Sequence, residues 1–183
     1  MDLPDLSPHA DTLAAVVLGA SLATVSGVIA NQFESFFRRR ERERSAALLF
    51  GEIFSTLRVI LEGASAIRSV GPRYGPVTRR MLHAARREID IYERNREAHV
   101  DLREAELRSD THNLALRISL PLDGLLDSFL PDSEVDDDDR DRTFAFMMDN
   151  VELIPALVAR LGKISRHNFE NYDFISRLGD PNG

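Results

Sequence analysis

Two groups of side chains have the types and crowding that could do chemistry: an acidic run and five histidines. The run holds Asp132, Glu134, Asp136, Asp137, Asp138, Asp139 and Asp141. Carboxylates at that density could hold a divalent cation. A calcium loop of EF-hand type, however, needs glycine at its sixth position and glutamate at its twelfth. Counted from Asp132, those places hold Asp137 and Thr143, so the pattern fails. The run reads instead as a solvated linker whose charges favour the N-terminus of the next helix through its dipole. The histidines are His9, His83, His99, His112 and His167. No two share the i, i+4 spacing of a zinc helix, and there is no H-E-x-x-H. Asp110 and His112 stand two apart, which on a helix turns them to different faces.

Other chemistries fare no better. No G-x-S-x-G elbow and no glycine-rich phosphate loop occurs. The absence of cysteine excludes disulfides, thiolate metal sites and cysteine nucleophiles. Glu88, Asp90, Glu93 and Glu97 interleave with Arg86, Arg87, Arg94 and Arg96. Asp90–Arg94 and Glu104–Arg108 have the i, i+4 spacing of surface ion pairs. A di-metal carboxylate bundle would need Glu-x-x-His pairs, and the chain has none. The sequence therefore predicts a non-enzymatic protein with no catalytic residues, no cofactor, no metal site and no small-molecule substrate. A net charge of −7 and a pI near 5.3 argue against a general nucleic-acid binder. Lys163 is the only lysine, so nearly all positive charge is arginine, a bias expected of a GC-rich bacterial genome.

The elements that would carry the chain come next. Residues 12–33 hold no charged side chain, between Asp11 and Glu34. As a helix these ~22 residues would be about 33 Å long, against a hydrocarbon core of about 30 Å. A signal peptide needs a basic leader and a shorter apolar core, whereas residues 1–11 carry Asp2, Asp5 and Asp11 and no Lys or Arg. The segment is thus predicted to span a membrane. Ser21, Thr24, Ser26, Asn31 and Gln32 make it only marginally apolar, so partner helices would help it insert. Ala15, Gly19, Ala23 and Gly27 recur every four residues. Such a small-residue face lets helix backbones approach closely in lipid. The exit is basic, with Arg38, Arg39, Arg40, Arg42 and Arg44 interrupted by Glu41 and Glu43. Positive charge stays on the cytoplasmic side. These arginines would fix topology first and meet anionic headgroups second.

Ser7-Pro8 suits a helix start, and no proline follows until Pro72, so the first helix is predicted to run from about Pro8 to Ser69. Ala46, Phe50, Ile53, Leu57, Ile60, Ala64 and Ile67 alternate four and three apart, as in a heptad seam. Leu49, Phe54 and Leu61 widen that stripe, which favours a bundle over an isolated coiled coil. Gly71-Pro72 and Gly75-Pro76 mark a loop. A second helix should run from Pro76 to near Ala98. Asp101 and Glu104 have capping-box spacing for a third, with Leu107, Thr111, Leu114, Ile118, Leu122, Leu125 and Phe129 on one face. Pro121 should kink it and Pro131 end it. A last helix should bury Phe144, Met147, Met148, Val151, Ile154, Val158 and Leu161, bent at Pro155.

The layout, carried by Arg38 to Arg44, Ala46-Ala47-Leu48-Leu49, Glu52 and Ile91-Tyr92-Glu93-Arg94-Asn95, resembles small bacterial proteins of unknown function with one N-terminal membrane helix and a cytoplasmic helical domain. That resemblance carries no catalytic residues and implies a non-enzymatic role. The chain is expected to be all-α. Residues 1–11 form a short extracytoplasmic N-terminus, 12–33 a transmembrane helix and 34–44 an Arg/Glu-rich exit. Residues 45–170 form a cytoplasmic antiparallel helical bundle, and 171–183 a flexible tail. The expected role is an interaction or accessory protein of the bacterial inner membrane. Its partners would be the bilayer and a second copy or another membrane subunit, not nucleic acid. The competing expectation is a membrane-perturbing effector of a defence or toxin system.

Overall fold

The computed structural model describes residues 7–169, with side chains from Gln32 onward except Phe33 and Ser35. It is all-helical, with no strand among the described residues. In order come α1 (Ser7–Val70), α2 (Pro76–Arg94), a 3-10 helix (Arg96–Asp101), α3 (Ala105–Asp127), α4 (Asp137–Val151) and α5 (Ile154–Ser165). The chain divides into two compact units, Met1–Glu41 and Arg42–Gly183.

α1 is unbroken to Val70, as the lack of internal proline predicts. Among the described residues no helix is long and apolar enough to cross a membrane. Of residues 12–33, only Gln32 has a described side chain. The predicted span and its small-residue face (Ala15, Gly19, Ala23, Gly27) therefore lie outside the described side chains, as do residues 1–6 and 170–183 altogether. The all-α class stands, and the membrane anchor draws no support from the helices described.

The second unit is bundle-like, with α3 packed against α2, α4 and α5. Its core is one cluster. From α1 come Ala46, Ala47, Phe50, Ile53, Phe54, Leu57, Leu61 and Ala64, all at most 4% exposed. Phe54 and Leu61 are fully buried, while Ile60 is only partly so. The stripe is therefore broader than a two-residue heptad seam, as a helix buried against several neighbours requires. α2 contributes Thr78, Leu82, Ala85, Ile89 and Tyr92. α3 buries Leu107, Thr111, Leu114, Ile118, Leu122 and Leu125, the face read from the sequence. Truncating a core leucine to alanine costs roughly 2–5 kcal/mol in such settings.

Three local expectations need correction. α2 stops at Arg94, and residues toward Ala98 pass into the 3-10 helix. Asp101 does not cap α3. It ends the 3-10 helix, and α3 opens after Glu104 with no side-chain cap. Leu102 is fully buried, which draws the chain inward between the two. Arg108 Nη1 donates to the carbonyls of Leu102 (2.5 Å) and Arg103 (3.1 Å) and serves that bend instead. Finally, Pro155 does not bend one long helix. It sits in the first turn of a separate α5, where its missing N–H leaves no bond unmade. The acidic run acts as the dipole argument expects. Asp136 accepts from the Asp139 amide at 2.8 Å, with Asp137, Asp138 and Asp139 in the first turn of α4.

α5 ends at Ser165 and is capped by Arg166, which has left-handed backbone angles (φ 57°, ψ 35°). The Gly162 carbonyl accepts from Arg166 and, at 3.2 Å, from His167. A Cβ at Gly162 would lie 2.8 Å from the His167 carbonyl oxygen, so this reversal requires glycine. The reversed chain delivers Phe169 into a notch on α1, where a Cβ on Gly51 would stand 2.2 Å from Phe169 Cζ. Gly51→Ala should gain about 1 kcal/mol of helix propensity but evict a ring whose burial contributes roughly 1.5–3 kcal/mol. Chemical denaturation should show net destabilisation. In a Phe169→Ala background the same substitution should become neutral or stabilising.

Candidate functional site

The most concentrated set of polar groups against the core is a tyrosine with two histidines. Tyr92, one turn from the end of α2, is 3% exposed. His99 lies on the 3-10 helix and His112 in α3. The Tyr92 hydroxyl meets His99 Nε2 at 3.1 Å and His112 Nδ1 at 3.3 Å. Rings from α1 enclose the group. Phe50 stands edge-on to His99 with centroids 4.6 Å apart and lies 5.7 Å from Tyr92, and Phe54 lies 5.9 Å from Tyr92. His99 and His112 are themselves perpendicular, with centroids 6.1 Å apart.

This surrounding sets the protonation states. Burial pushes the Tyr92 hydroxyl well above its ordinary value, aided by the charge of Glu93 and opposed by Arg96. Burial also lowers His99 to about 4, with His112, Arg96 and Arg108 acting in the same direction. At neutral pH both side chains are uncharged. A phenol held protonated is no nucleophile, and an imidazole at about 4 is a poor base. What the group can do is tie three elements together by hydrogen bonds inside an aromatic cage. Among the described residues no three His, Cys, Asp or Glu side chains converge to hold a metal.

A second polar assembly fastens the start of α4 to the end of α1. The Asp141 carboxylate accepts from Tyr74 Oη at 2.7 Å, from Arg73 Nη1 at 2.6 Å and from Arg68 Nη2. The Tyr74 bond, with Arg68 and Arg73, holds this carboxyl below its usual range despite the opposing effect of burial. The Arg68 guanidinium lies 3.9 Å from the centre of the Phe144 ring. Arg140 repeats the device nearby, donating from Nε to Ser128 Oγ at 3.0 Å and from Nη2 to the Ser128 carbonyl at 2.6 Å.

The arginines singled out in the sequence do not gather into one site. Arg38 pairs with Glu34 on the helix surface. Arg39 and Arg40 are exposed, and Arg44 is half-buried. Arg42 faces Asp101 at 4.0 Å, and its neighbour Glu43 accepts from the Arg103 backbone amide at 3.3 Å. The lower end of the run thus meets the end of the 3-10 helix and the segment that follows it, with Arg42 still exposed. Sequence reasoning passed over Phe36 and Phe37, which are 47% and 62% exposed and touch edge to face. Two consecutive aromatics between an uncharged stretch and a basic run were the available signal. It also missed the Tyr92–His99–His112 convergence, because the residues stand 7 and 20 positions apart on separate elements.

His99 supplies a pH test. Its folded pKa lies below its unfolded value of about 6.5. The stabilisation is complete above that unfolded value and is lost as pH falls through about 6.5 toward about 4. Allowing for partial solvent access, the loss should be about 1–2 kcal/mol. Thermal unfolding followed across that window should show a falling midpoint, and His99→Leu should flatten the profile there.

No protein-family model, curated protein or solved structure matches this chain.

Proposed function

We propose that this chain is a membrane-anchored, non-enzymatic interaction or accessory protein. Residues 12–33 would span the bacterial inner membrane, residues 1–11 would lie outside, and the helical unit from Arg42 would work in the cytoplasm. The observation that carries the reading is a sequence of surfaces along one chain. The uncharged stretch at 12–33 is followed by the exposed rings of Phe36 and Phe37, then by exposed Arg39 and Arg40. That order matches the layers a helix meets on leaving a bilayer: acyl chains, the interface, then anionic headgroups. The Ala15, Gly19, Ala23 and Gly27 face gives the span a means of lateral packing.

The expected result is that the full chain stays with membranes in alkaline carbonate and crosslinks as an oligomer or with a stoichiometric partner. Gly19→Ile combined with Gly27→Ile should abolish that crosslinking. A reporter active only in the cytoplasm should give signal when fused at the C-terminus. Release of the wild-type chain by carbonate would overturn the anchor, and a silent reporter would reverse the orientation. The membrane-perturbing reading draws on the same small-residue face. Collapse of the membrane potential on overexpression, read with a potential-sensitive dye, would replace the accessory role with that one.

A further inference from the structure

A largely apolar groove with charged side chains at its rim runs between α1 and α5. It encloses about 550 Å³, within the range of ordinary small-molecule sites. Its wall is formed by Val59 of α1 and by Ile154, Pro155, Val158 and Ala159 of α5, with the Phe169 ring at one end. Around that wall stand Arg58, Lys163 and His167, and among the described residues no carboxylate lines it. This is a local reversal of sign in a chain whose net charge is −7. Arg58 is partly engaged, since its Nε donates to Glu62 at 2.6 Å. The exposed Lys163 ammonium has no ion-pair or hydrogen-bond partner among the described residues. The His167 ring rests edge-on to Phe169 with centroids 4.6 Å apart.

We propose that this groove binds a free medium-chain carboxylate, with its alkyl body against Val59 and Val158 and its charged end at Lys163. The proposal rests on complementarity of two kinds. The apolar wall gains from covering roughly 25 cal/mol per Å² of surface removed from water. An exposed ammonium with no partner gains an ion pair with the carboxylate, a contribution that added salt screens. An alcohol of the same length satisfies only the first condition and an alkylammonium meets repulsion at the second. The groove belongs wholly to the unit beginning at Arg42, so its occupancy does not depend on where residues 12–33 reside.

The test uses the full chain in phosphatidylcholine nanodiscs, titrated with octanoate carrying a 13C label at the carboxyl carbon. Empty nanodiscs are the reference. Saturable binding is expected with a Kd on the order of 0.1–1 mM, weakened by added salt. Octanol and octylammonium should bind at least tenfold more weakly, and acetate should not saturate. Lys163→Glu should weaken octanoate binding at least tenfold and Lys163→Arg should restore it, with circular dichroism unchanged in both. Val158→Asp should abolish binding. Equal affinity for octanol, or Lys163→Glu without effect, would overturn the proposal.

Discussion

The helical unit depends on the width of the apolar stripe on the second half of α1. Ala47, Phe50, Ile53, Phe54, Leu57 and Leu61 are all at most 4% exposed, and at ~100° per residue Ala47 and Ile53 lie roughly 120° apart around the helix with the other four between them. They form a band that takes contacts from several directions. Tyr92 and His99 pack on its N-terminal part through Phe50 and Phe54. The Asp141 clasp and the Phe144–Arg68 stack close its C-terminal part. The later helices are short, from 12 to 23 residues, and isolated helices of that length are marginal in water. Their stability comes from reaching this band.

Polar groups then decide how each short helix is placed on it. Asp141 gathers Arg68, Arg73 and Tyr74, so one carboxylate serves three donors from two earlier segments. Arg86 reverses that scheme: its guanidinium meets Asp90 at 2.9 Å and Asp123 at 2.7 Å, joining α2 to α3. Such exposed pairs contribute little stability each. They matter more for register, since a helix turned by one position would face its charge into solvent or into the wrong neighbour. Gly51 fixes position by the opposite means, a missing side chain that admits the Phe169 ring.

Much of this fold is legible in the sequence, and the reasons it is legible are local. Proline spacing gives the length of α1 and the break at Gly71–Pro76. Helical periodicity gives the buried face of α3 almost residue by residue. The misreadings share a cause as well. Asp101 and Glu104 have capping-box spacing, but burial of Leu102 outweighs it. Pro155 has the same local chemistry whether it bends one helix or opens another, and only packing of Ile154 and Leu157 into the core decides. The Tyr92 group and the α1–α5 groove could not be read locally, because each is assembled from elements distant along the chain. Motif rules register adjacency in sequence, whereas these sites exist through adjacency in space.

The hydroxyl of Tyr92 carries a single hydrogen yet stands between two imidazole rings. Whichever imidazole receives that hydrogen, the other must present its own to the phenolic oxygen. The row of three side chains therefore has two dipolar senses, pointing from α3 toward the 3-10 helix or back again. While both bonds hold, a change of His112 Nδ1 from acceptor to donor requires the opposite change at His99 Nε2. Two helical segments that share no covalent proximity are in this way obliged to agree on the direction of a polarised wire.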